Sequence, residues 1–135
     1  MVEFALMLPL MALVLVGVFD LGRAFFASIT ITNAAREGAR YGARYSKYYD
    51  PLTPSIPPYY DIKQATIREA QGTLVDLTSA NATIVVTCPD TNSDNYCDRY
   101  NPVRVTVSYN YNEMILGFFF PSGIDMQRYV EMMVP

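Results

Sequence analysis

The chain has 135 residues, 51% of them hydrophobic, with a net charge of -3 and a pI near 4.8. It contains no histidine, so the commonest general base and the commonest metal ligand are missing, and its acidic balance gives no basic footprint for nucleic acid. No phosphate-cradling glycine loop, nucleophile elbow or H-E-x-x-H pair occurs, and the carboxylates are scattered singly, so no enzyme is expected.

Residues 1–49 hold one proline and no turn cluster, which predicts a single long helix. Its first part is apolar on every side: Phe4 to Phe19 carry no charge, and a run of that length spans roughly 24 Å as helix. Spanning helices need about 20 apolar residues, with a lower limit near 17. The run is therefore marginal alone, but apolar character continues past Asp20 and Arg23 to Ile29. A cleaved signal peptide is the competing reading; it lacks support because the basic start and an A-x-A site are absent. Pro9 removes a backbone donor and crowds the preceding turn, predicting a kink or local melting. Glu3 stands alone at the head of the run, where an unpaired carboxylate in hydrocarbon is costly. It either caps the helix in water at the membrane interface or meets a cation.

From residue 30 to 49 the helix changes character and is expected to pack on a sheet. In NAAREGARYGARYS, Ala35, Ala39 and Ala43 share one face, Gly38 and Gly42 the next, and Arg36, Arg40 and Arg44 another. Small residues four apart let another element approach closely. The arginine stripe reads either as a donor of guanidinium groups to acidic neighbours on another subunit or as a solvated face favoured by the helix dipole.

Residues 50–60, DPLTPSIPPYY, cannot form regular helix and make a connector. A second helix is expected from Asp61, with Gln64 completing a capping box, to about Leu77. Thr83 to Cys88 reads as a strand, Val103 to Tyr111 as a half-buried strand with its valines and tyrosines inward, and Ile124 to Val134 as a third in which Arg128 breaks the pattern. The fold class is thus α+β: a long N-terminal hydrophobic helix plus a small globular domain, residues 61–135, with a second helix and a three-stranded antiparallel sheet.

Three local features remain. Cys88 and Cys97 are an even pair in a short chain of exported character, which reads as a disulfide and an oxidising compartment. Between them Asp90, Asn92, Asp94, Tyr96 and Asp98 alternate like oxygen ligands of a calcium loop, although Asn95 replaces the usual glycine and no glutamate closes it. An Asp/Asn-rich turn is the plainer reading, and calcium is the candidate ligand with no other cofactor expected. Asn81 heads an N-glycosylation sequon, and Phe118 to Phe120 are expected to fold back on the helix or, in the minority reading, to meet another subunit.

The stretches VEFALMLPL, FDLGRAF and NAAREGARYGARYS, with IDMQRYVEMMVP at the C-terminus, resemble the TadE-like proteins of tight-adherence pili, relatives of type IV pilins. Residues 50–102 carry no motif of that family, and the basic leader ending at glycine that precedes V-E-F in its members does not precede it here, which suits a processed chain or one that needs no processing. The resemblance implies a pilin-like fold and a structural, non-enzymatic role. Residues 1–29 would lie first in the inner membrane and then in the core of an extracellular adhesive filament of identical subunits, built by a pilus assembly machinery. Glu3 would neutralise the α-amino group of a neighbouring subunit and, with Pro9, set the register of assembly. Two alternatives stay open: a minor pseudopilin that initiates or anchors assembly, and a single-pass anchored extracellular domain whose calcium loop is its recognition site.

Overall fold

The computed structural model of the chain describes residues 2–44, 59–89, 97–115, 117 and 121–135, with the side chains of 2–5 not included. The long helix α1 runs from Val2 to Arg44, about 65 Å at the usual rise. It passes through Pro9 without interruption, so the local melting that was one of the two expectations there is not seen. A proline costs a helix one donor and a local clash, and the uninterrupted turns on either side outweigh that.

Helix α2 covers Tyr60–Ala70 and differs at both ends from the capping-box expectation. Tyr59 precedes it in a left-handed conformation (φ 62°) with no side-chain cap. The Lys63 N–H instead donates to the Tyr59 carbonyl at 3.0 Å. The helix stops seven residues short of Leu77 because Gln71 turns extended and Gly72 takes φ +78°, the left-handed geometry that closes helices. Leu74 and Leu77 therefore lie on the following turns, where Leu77 is buried and Leu74 is not.

Strands β1 (Ala82–Thr87), β2 (Pro102–Tyr111) and β3 (Ile124–Met133) form an antiparallel meander in that order. Val103, Val105, Val107, Tyr109 and Tyr111 of the central strand are all buried, as period-two alternation demands of a sheet with one covered face. Val105 sits between Val86 and Val130, and Tyr109 between Ala82 and Met126, which aligns the apolar parity across the sheet. The far face is polar: Arg104 pairs with Glu131 across the register and its guanidinium lies 5.2 Å from the Tyr129 ring centre. The Tyr100 N–H donates to the Val134 carbonyl and the Val134 N–H to the Asn101 carbonyl, tying the buried Val134 to the start of β2.

The core lies between this sheet and the two helices. Ala24, Ala27, Ile31, Ala34, Ala35 and Ala39 supply the α1 side, and Ile62 and Ala70 the α2 side. Among the described side chains of α1, buried ones occur only from Asp20 onward.

Candidate functional site: the outer face of the long helix

Two glycines set how closely the head can grip α1. A Cβ on Gly38 would stand 2.1 Å from the Thr66 Oγ1 and 3.4 Å from a Val105 methyl, and one on Gly42 would stand 2.9 Å from both Ile62 Cδ1 and Val103 Cγ1. Gly42 meets Ile62 while Gly38 meets Thr66, so the four-residue spacing runs in opposite senses along the two helices, which pack antiparallel. Both glycines sit where α1, α2 and β2 converge. Thr66, fully buried, spends its hydroxyl on the Ile62 carbonyl at 2.9 Å, so nothing polar is stranded there.

The opposite side of α1 meets no part of the described chain. From Leu6 to Val14 every side chain is exposed, around the whole helix. Above Asp20 the apolar exposure narrows to Leu21, Phe25 and Ile29, continuing Val18 below, with Phe26 exposed beside them; the three- and four-residue steps are those of a helix seam. Leu21 is 72% and Phe25 68% exposed, although hydrophobicity would bury them. Beyond Ile29 the same side turns polar, with Asn33, Arg36, Arg40 and Arg44 all exposed. One helix face thus carries an apolar half and a basic half.

The residues singled out from sequence fall on both faces. Ala35, Gly38, Ala39 and Gly42 are buried against the head, and Ala43 is half-buried. Arg40 holds a bidentate pair with Glu37 of its own helix, both contacts at 2.8 Å, a local i,i+3 bridge. Arg36 and Arg44 point outward, and Pro9 is exposed. Glu3 lies in the first turn of α1, with its side chain outside the described residues.

The disulfide joins Cys88 to Cys97, Cα atoms 5.4 Å apart, linking the end of β1 to the approach to β2. Asp90, Asn92, Asp94 and Tyr96 of the calcium reading lie outside the described residues, as does Phe118 to Phe120. Asp98 is described, and its carbonyl accepts the Asn101 N–H at 3.2 Å in a turn. Among the described residues no group of three Asp, Glu, Cys or His side chains could hold a metal ion. Asn81 is exposed at the start of β1, with its carbonyl taken by the Asn110 N–H at 2.8 Å.

Three contacts between α1 and the head were not foreseen. Asp20 is buried, and its carboxylate accepts the Ile115 N–H at 3.0 Å. Arg23, one turn on, stands 3.7 Å from Glu113. Arg128, which breaks the alternation of β3, reaches α1 and donates to the Ser28 hydroxyl at 2.9 Å. The signal was present: Asp20 and Arg23 interrupt an apolar run as Glu3 begins one, and the same question of what meets the charge applies to them.

No curated protein and no solved structure matches this chain. Residues 1–40 match the TadE-like protein family, a stretch that takes in the apolar run, Asp20, Arg23 and the Gly38 junction. Over that stretch, most of the long helix, the chain is similar to TadE-like proteins.

Proposed function

We propose that the chain is a structural pilin subunit of a tight-adherence pilus: held in the membrane by the lower part of α1, then polymerised through that helix into an extracellular filament. The observation that carries this reading is the split along α1. A small head covers one side of its upper half and leaves the Leu6 to Val14 run and the Leu21, Phe25, Ile29 seam open. Such a surface needs an apolar surrounding, and both lipid and a bundle of like helices provide one. The helix is long and apolar enough to cross a membrane, and the Cys88–Cys97 disulfide suits a head exported to an oxidising compartment.

The reading is tested on fibres sheared from cells that express the chain, by electron microscopy and mass spectrometry. The expected outcome is this chain as the bulk component, with fibres lost on Phe25→Asp while the protein still accumulates in the membrane. Fibres of normal yield that lack the chain would overturn it. A few copies per fibre in place of thousands would assign the initiating, minor role instead.

A further inference from the structure

Charge brackets the apolar run. Glu3 and Asp20 are its first charges at either end, and nothing charged lies between them. Seventeen helical steps separate the two, about 25 Å along the axis, close to the roughly 30 Å thickness of a bilayer's hydrocarbon core. A helix that spans with this run therefore carries Asp20 at the head-side edge of the hydrocarbon.

Asp20 is also the first buried position along α1 among the described side chains. Its carboxylate takes the backbone N–H of Ile115, and Arg23 holds Glu113 from the next turn. The turn is closed by the Gly117 N–H donating to the Met114 carbonyl at 3.2 Å. Met114 tucks against the core, but Ile115 is 58% exposed, an isoleucine pointing away from the domain at the level where the membrane should begin. Phe19, next to Asp20 in the chain, is exposed as well. A carboxylate turned inward to hold a backbone N–H, a partly exposed ion pair beside it and an isoleucine turned outward suit a headgroup layer, where apolar side chains bury and polar atoms keep partners.

We propose that the turn Glu113 to Ile115 is a second membrane contact, with Ile115 seated in the headgroup layer of the bilayer and Asp20 and Arg23 holding it there. It rests on the membrane-spanning reading of α1 given above. The unassembled subunit then touches the membrane at two points and has a fixed rotation about its helix, not a head swinging freely on a stalk. Extraction into a filament must release both.

The chain contains no tryptophan, so a single introduced indole reports its own surroundings. Ile115→Trp, Leu10→Trp and Val85→Trp are placed in the otherwise unchanged full chain in phosphatidylcholine vesicles whose acyl chains are brominated either near the headgroup or near the bilayer centre. Leu10→Trp is expected to be quenched most by deep bromines, and Val85→Trp, on the sheet, by neither. Ile115→Trp is expected to emit to the blue of Val85→Trp and to be quenched most by shallow bromines, and adding Asp20→Ala to weaken that quenching. Quenching of Leu10→Trp with none of Ile115→Trp overturns the second contact and leaves the span intact. No quenching of Leu10→Trp overturns the span itself. If Ile115→Trp does not fold, the unsubstituted chain is photolabelled with a diazirine carried at headgroup level and mapped by mass spectrometry. Label on 112–115 as well as on α1 supports the contact, and label on α1 alone overturns it.

Discussion

Gly38 and Gly22 lie sixteen residues apart on one helix and predict opposite outcomes for the same substitution. At Gly22 an added methyl meets nothing within 4 Å, so Gly22→Ala removes only glycine's helix penalty and is expected to stabilise by roughly 0.5–1 kcal/mol. At Gly38 it would press on Thr66 Oγ1, a buried atom committed to a hydrogen bond. Gly38→Ala is expected to destabilise by about 1–3 kcal/mol, the usual cost of overpacking. Thermal midpoints of the two variants in detergent check both signs. Asp20→Ala removes the acceptor of the part-buried Ile115 N–H and is expected to cost about 1 kcal/mol on the same assay.

Titration at single residues has a sign that can be worked out. Burial, more than any neighbouring charge, holds the Tyr109 and Tyr111 phenols above the ordinary tyrosine value of 10.0. A raised folded value means the contribution is complete below the unfolded pKa and is lost as pH rises through the folded one. The head should therefore lose stability above about pH 10, and Tyr109→Phe should remove part of that loss. Asp76 goes the other way: the Thr78 hydroxyl at 2.6 Å and then the Thr78 N–H at 2.9 Å lower its pKa. Its contribution is present above the unfolded carboxylate value and fades as pH falls through the lower folded one. Asp76→Asn should flatten the acid limb of a midpoint-against-pH curve.

Among the elements, strands were more legible than helix ends. The parity of Val103 to Tyr111 is a property of the chain itself, because successive side chains must alternate, and every inward residue it marks is buried. The end of α2 was not legible. Leu74 and Leu77 keep a helical spacing, yet Gly72 offers a left-handed exit that the pattern of apolar residues does not encode. Arg128 shows the same limit from the other side, since a break in alternation becomes a contact only when Ser28 is placed opposite it. The disulfide belongs at this scale too. It closes a loop between two adjacent strands, so reduction, or Cys88→Ser with Cys97→Ser, is expected to lower stability by about 2–4 kcal/mol. Denaturant unfolding with and without reductant measures it.

For the molecule as a whole, the expected consequence of the open seam is association. In detergent the chain should stay dispersed while the micelle covers Leu21, Phe25 and Ile29, and should assemble when detergent is removed under conditions that permit fibre growth. Phe25→Asp should block that assembly and leave the thermal midpoint of the head unchanged, because Phe25 touches no part of the buried core. Sequence alone determined that α1 has an apolar half with no charge for Phe4 to Phe19, that small residues recur every fourth position above it, and that the strands have one covered face. These are facts about composition and period, which the chain carries locally. Tertiary structure alone decided which side of α1 the head occupies, that Asp20 and Arg23 anchor the turn at Ile115, and that the glycines admit α2 as well as the sheet. Each of those depends on residues between 20 and nearly 100 positions apart being brought together, and local pattern does not fix the partner of a charge or the neighbour of a glycine.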